Sequence, residues 1–218
     1  MKTDKPVIGV YGGTFDPVHI AHLRLVIEAK EQLNLSKIVW VPSGNPCHRH
    51  APIASVTDRL SMLEMALKDD RAFSIDTTDL YSKEPTYTVN TLKRIRQGYD
   101  KETPFVFLLG SDALLLLPTW YDWTSLFDLA HIAVATRLDH LLEWMPDELK
   151  THMDQRLGKK EDIFETAAGR IVLLPMIECD ISASSIREKA KKQLNLSYLV
   201  PLSVQNYITQ HAIYSEDK

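Results

Sequence analysis

Six short apolar runs recur along the chain with little polar alternation: 7–12 (VIGVYG), 37–42 (KIVWVP), 72–76 (AFSID), 104–110 (PFVFLLG), 131–136 (HIAVAT) and 170–175 (RIVLLP). Runs of that length, apolar at successive positions, predict strands covered on both faces, as in a parallel sheet. Between them the apolar spacing becomes helical. Ile20, Leu23, Val26 and Ile27 share a face within 17–33, and further helices are predicted over 57–69 and 88–97. Two more close the chain, at 185–193 and 203–211, the first with Ser185 and Glu188 in a capping-box pattern. Strands alternating with helices predict an α/β fold with a doubly wound, mainly parallel sheet and C-terminal helices. Residues 138–168 are charge-rich and weakly patterned, and read as a helical insertion within one domain spanning 1–218.

Composition narrows the partners more than the fold. With 44% hydrophobic and 25% charged residues the chain is ordinary for a globular protein, which excludes a disordered class. A formal net charge of −4 and a pI near 6.1 argue against a nucleic-acid coat or a membrane-surface protein held by bulk charge. A small anion held by a few local basic groups remains compatible. Two cysteines, Cys47 and Cys179, are too few for a disulfide framework and fit a reducing compartment. The N-terminal residues lack the apolar region of a signal peptide, and no run approaches a membrane span, so the expectation is a soluble cytoplasmic protein.

Doubly wound sheets bind ligands beyond the C-terminal ends of their strands, and the unusual stretches of this chain begin there. Residues 9–22 read GVYGGTFDPVHIAH. Gly12 and Gly13 offer backbone angles denied to other residues and let a ligand approach the main chain. Asp16 suits an N-cap and Pro17 a first helical position, which would place His19 in the first turn with His22 on the same face. Free N–H groups and the positive dipole end attract phosphate there, and the same dipole keeps both imidazoles neutral. Either half of this stretch alone is common in surface helices. Together, after the first strand, they point to the phosphate chain of a nucleotide.

Other stretches carry two readings each. Ser182, Ser184, Ser185 and Arg187 combine hydroxyls, a helix start and an arginine fork suited to phosphate oxygens, or form a cap followed by a solvated arginine. His48, Arg49 and His50 form either a phosphate clamp or a polar loop; with Cys47, His19 and His22 they lack the spacing of a structural zinc site, and no metal ligand set is expected. Leu114–Leu117 read as core, but Pro118 ends that helix and places Trp120 on a loop near a strand end. Asp112, two residues past Gly110, fits a helix cap, and Arg137 lies just past a strand.

The stretch GGTFDPVHIAH resembles the GGTFDPxHxGH signature of the nucleotidyltransferase superfamily, the (H/T)xGH group. The likeness continues in VPSGNPCHRH, PTYTVNTL, GSDALLLLPTWYDW and ISASSIR, nearly the whole length of the chain. The resemblance implies a Rossmann-like nucleotidyltransferase fold that joins a nucleotide to a phosphate or carboxylate with loss of pyrophosphate. It implies an ATP site of Gly12, Gly13, Thr14, Phe15, His19, His22, Ser182, Ser184, Ser185 and Arg187, with His19, His22, Arg187 and Arg49 catalytic. ATP would bring Mg2+. The PTWY block is similar to the branch that adenylates nicotinate mononucleotide to deamido-NAD in NAD biosynthesis. On that likeness Trp120 stacks on the pyridine ring, the amides of Val89 and Tyr121 meet its carboxylate, and Asp16, His48, Arg49, Thr88, Asp112 and Arg137 complete the acceptor site. Another acceptor, nicotinamide mononucleotide or phosphopantetheine, and a non-catalytic nucleotide sensor stay open, as does a homo-oligomer. Ala21 stands where the signature has glycine, Cys47 where it has proline, and Ala183-Ser184 where it has Ser-Thr.

Overall fold

The computed structural model describes residues 5–44, 51–136, 145–176 and 179–215. All six apolar runs are strands: β1 (Ile8–Gly13), β2 (Lys37–Pro42), β3 (Phe73–Ile75), β4 (Phe105–Gly110), β5 (His131–Thr136) and, after a two-residue β6 (Leu157–Gly158), β7 (Ile171–Pro175). They form one sheet in the order β3-β2-β1-β4-β5-β7-β6. The β1–β4, β4–β5, β5–β7 and β6–β7 pairings are parallel. The order reverses direction at β1, the place where a doubly wound sheet opens toward a ligand.

The helices are α1 (Ile20–Gln32), α2 (Val56–Leu67), α3 (Thr88–Arg96), α4 (Ser111–Leu115), α5 (Leu126–Leu129), α6 (Asp147–Arg156), α7 (Ala183–Lys191) and α8 (Leu202–Gln210). Two starts differ from the sequence reading. Helix α1 begins at Ile20 rather than Pro17, and α7 begins at Ala183 with Ser182 as its cap, two residues before the expected opening at Ser185. Of the leucine run, Leu114 and Leu117 are buried three residues apart, as a helical turn requires, while Leu116 is exposed. Within the expected insertion, residues 138–144 lie outside the described residues, and the remainder forms α6, β6 and a 3-10 turn at Lys160–Phe164. Strand β6 extends the sheet by pairing Leu157 with Ile171. It is too short to print a period on the sequence.

The chain divides into two interleaved compact units: Met1–Tyr11, Leu25–Val39 and Tyr87–Glu178 in one, Gly12–Arg24, Trp40–Thr86 and Cys179–Lys218 in the other. The first is centred on β4 and β5, where Phe105, Val106, Leu108, Ile132 and Val134 are fully buried. His152 of α6 stacks on Phe127 with ring centroids 5.1 Å apart, and the Arg156 guanidinium lies over the same ring, which fastens α6 to α5. The second unit packs α2 against α8, burying Met62, Leu63, Val204 and Ile208.

Candidate functional site

The segment after β1 owes its shape to one aromatic ring. Phe15 is almost wholly buried and takes a left-handed backbone, φ 49°, a conformation that a bulky residue holds only where its surroundings enforce it. A Cβ on Gly13 would come within 2.8 Å of that ring. Neither Gly12 nor Gly13 is left-handed, so the expected backbone freedom is not their role: Gly13 is required by the close approach of Phe15, and Gly12 has room for a side chain. The Phe15 ring meets His22 edge-on at 5.2 Å and Trp40 at 5.4 Å.

Arg59 locks this turn to the loop after β2. Its guanidinium donates to the carbonyls of Thr14 and Ser43, both at 2.7 Å, and to Gly44 at 3.4 Å. It is 1% exposed, and burial lowers its pKa against the raising influence of the Asp16 carboxylate. The sequence reading passed over it. The signal was there: Arg59 stands at helical spacing with buried Met62, Leu63 and Leu67, and a charge on an apolar face needs a partner.

Asp16 does not cap α1. The Asp16–Pro17 peptide is cis, and the carboxylate turns instead to the amides of Ile53 (2.8 Å) and Ala54 (3.1 Å) and to the Tyr214 hydroxyl (2.8 Å). These long-range donors outcompete a local cap. The Asp16 carbonyl accepts from Arg187 at 2.7 Å, and the other guanidinium nitrogen of Arg187 donates to Ser184 Oγ at 3.2 Å. Ser182 Oγ accepts from the Ser185 amide as the true cap of α7. Arg187, Ser184, Lys191, Tyr214 and Ser215 line a cleft of about 690 Å³.

The two histidines together form the start of α1. The His19 carbonyl accepts from Leu23 N–H, so His19 occupies the cap position, and its own N–H donates to His22 Nδ1 at 3.2 Å. This is one half of a capping box, built with imidazole. A nitrogen that accepts carries no proton, so His22 is the neutral tautomer with its proton on Nε2. The rings stack with centroids 3.6 Å apart. His19 is 5% exposed, its Nδ1 is buried without a hydrogen-bond partner among the described residues, and burial pushes its pKa down to about 4.

A neutral buried histidine ties stability to pH. The folded state resists a proton that the unfolded chain binds below about pH 6.5, so stability falls with falling pH, until the folded value near 4 is reached. His131 adds in the same direction: burial lowers its pKa while it bridges Thr166 O and Arg170 N–H. Urea titrations should show His19 contributing about 2 kcal/mol of destabilisation between pH 8 and pH 5. His19→Gln should remove that share of the slope; an unchanged slope would mean that His19 titrates normally in the fold.

Of the expected acceptor residues that are described, Asp16 lies in the second unit, its carboxylate taken up by two amides and a phenol, and the others lie in the first. Thr88 and Val89 open α3, Asp112 is exposed in the first turn of α4, and Trp120 follows a 3-10 turn at Leu117–Thr119. Trp120 is half-buried, edge-on to Phe107 at 6.2 Å, and Tyr121 is 60% exposed with its ring 4.6 Å from Tyr87. The start of α3 and the Trp120–Tyr121 segment therefore come together. His48, Arg49 and Arg137 lie outside the described residues, as do Cys47 and His50.

The chain was compared with known proteins. The model of the cytidylyltransferase-like family matches residues 10–189, running through segments of both units. A Dechloromonas aromatica protein named "Probable nicotinate-nucleotide adenylyltransferase" is 38% identical over 210 residues, covering 95% of this chain and 97% of its own. A Methylococcus capsulatus protein of the same name is 39% identical, covering 96% of this chain and 100% of its own. Among solved structures, the Plasmodium falciparum nicotinic acid mononucleotide adenylyltransferase complexed with NaAD superposes with a TM-score of 0.68 at 21% identity, covering 96% of this chain and 97% of that one. At that identity the likeness is one of fold.

Proposed function

The chain belongs to the nicotinate-nucleotide adenylyltransferases of the cytidylyltransferase-like family, and from that membership we propose that it transfers the adenylyl group of ATP to nicotinate mononucleotide, giving deamido-NAD and pyrophosphate. A phosphate oxygen of the mononucleotide attacks the α-phosphorus of ATP, and the bond from that phosphorus to the bridging oxygen of pyrophosphate breaks. The attacking phosphomonoester is already an anion near neutral pH, so the protein needs no general base. Its contribution is position and charge.

The observation that carries this reading is the His19–His22 pair. The His19 amide fixes the His22 tautomer, which puts on Nε2 the proton that a phosphate oxygen would accept. His19 stays neutral beside it. Gly12, Gly13, Thr14 and Phe15 supply the main chain of the ATP site, Ser182, Ser184 and Ser185 the start of α7, and Arg187, with Arg49, the charge for the departing phosphates. ATP enters as its magnesium complex. Asp16, the buried carboxylate at this turn, is already engaged by two amides and a phenol, and no cluster of three or more metal-ligating side chains occurs among the described residues. Mg2+ would be held mostly by phosphate oxygens of ATP and water, and would help neutralise the departing charge.

For the acceptor, Trp120 stacks on the pyridine ring, the amides of Val89 and Tyr121 meet its carboxylate, and His48, Thr88, Asp112 and Arg137 contribute further contacts, while the engaged Asp16 carboxylate is left to shape the turn. Trp120→Ala should weaken mononucleotide binding by about 1–3 kcal/mol, the scale of a stacking contact with its burial, while ATP affinity changes little. Calorimetric titration with each substrate checks this, and equal losses for both would return Trp120 to packing against Phe107. The reaction itself is tested by following pyrophosphate release with ATP, Mg2+ and each of nicotinate mononucleotide, nicotinamide mononucleotide and phosphopantetheine. The acid mononucleotide should turn over fastest. Equal or faster turnover of phosphopantetheine overturns the assignment.

A further inference from the structure

We infer that Tyr214, 198 positions beyond Asp16, is a positioning residue of the ATP site: its hydroxyl satisfies the Asp16 carboxylate and so leaves the Arg187 guanidinium available to phosphate. The inference rests on the assignment of Arg187 to the ATP phosphates. Asp16 is 4% exposed, and a buried carboxylate must be satisfied by donors or by a cation. Three donors serve it. Ile53 N–H reaches Oδ2, while Ala54 N–H and the Tyr214 hydroxyl reach Oδ1. The Arg187 Nη1 atom, anchored on the Asp16 carbonyl, stands only 3.9 Å from Oδ2. That is already a loose ion pair, and it would tighten if the carboxylate lost a donor.

Arg59, whose pKa the Asp16 carboxylate raises, is buried with its fork committed to three carbonyls, whereas Arg187 is held by one carbonyl and one hydroxyl and borders the cleft. Tyr214 itself is held firmly. It is 8% exposed, takes a left-handed backbone with φ 68°, and borders the same cleft as Arg187 and Ser184. Burial, then the neighbouring carboxylate, raises its pKa, so the phenol stays a donor across the working pH range. A turn at the end of the chain thereby decides whether an arginine at the other side of the cleft pairs inward or outward.

The test is ATP affinity measured by titration calorimetry on the full chain. Tyr214→Phe keeps the ring and removes one hydroxyl; it should weaken ATP binding by roughly 10-fold, one charge-assisted hydrogen bond's share. In an Arg187→Ala background the same change should weaken ATP by less than twofold, because the residue through which it acts is gone. A purely structural role would lower both backgrounds alike. Ile53→Pro, at a 66% exposed side chain, withdraws the amide donor from Oδ2 and should reproduce the defect, which keeps the test decisive should Tyr214→Phe fail to fold. Unchanged ATP affinity, or equal losses with and without Arg187, overturns the inference. Wild-type protein that binds ATP without adenylating nicotinate mononucleotide would refute the reaction, and the titrations would still decide Tyr214. Failure to bind ATP would refute both.

Discussion

Replacing His22 by Ala lowers the single-turnover rate of adenylyl transfer by roughly 10²–10³-fold, the scale lost when one preorganised donor to developing charge is removed. Substrate affinities move far less, because the Nε2–H bond strengthens as charge builds on the transferring phosphate. The geometry supplies the preorganisation. Nδ1 is held by the His19 amide, the ring stacks on His19, and the edge of Phe15 packs against it, so the proton on Nε2 has a fixed direction. His22 also serves the start of α1, and the Ala variant loses that bond, worth about 1 kcal/mol. His22→Asn separates the two roles. A side-chain oxygen can still accept from the His19 amide, so stability recovers while the rate stays low. Near-native chemistry in either folded variant would remove His22 from the mechanism.

Arg59→Met destabilises the chain by about 3–5 kcal/mol, the usual loss when one partner of a buried charge network is deleted. Methionine fills much of the volume but leaves the Thr14 and Ser43 carbonyls without their donor and Asp16 with Arg187 as its remaining neighbouring cation. Urea unfolding at pH 7.5 measures the loss. Because Arg59 ties the Thr14 carbonyl, just before Phe15, to the Ser43–Gly44 loop, the variant should also bind ATP more weakly while it remains folded. A loss below about 1 kcal/mol would show that water replaces the guanidinium at those carbonyls.

The sheet was legible because its strands are short apolar runs separated by helical spacing, and β6 escaped because two residues carry no period. The candidate site was legible in its residue types and less so in its geometry. Asp16-Pro17 reads locally as a cap and first turn, but amides 37 and 38 positions away and a phenol near the C-terminus claim the carboxylate. No local propensity encodes such partners. The same holds for Gly13, where a glycine suggests backbone freedom and the structure shows a neighbouring ring instead. Arg59 was readable in principle from its place on an apolar helix face. Tyr214 was not, since nothing periodic surrounds it.

Positional labelling of ATP tests the central claim most directly. With nicotinate mononucleotide and Mg2+, label in the α-phosphate should appear wholly in the dinucleotide, and label in the γ-phosphate wholly in pyrophosphate, in equal amounts. Transfer of the γ-label to the acceptor, or release of pyrophosphate with no dinucleotide formed, would contradict adenylyl transfer by this protein.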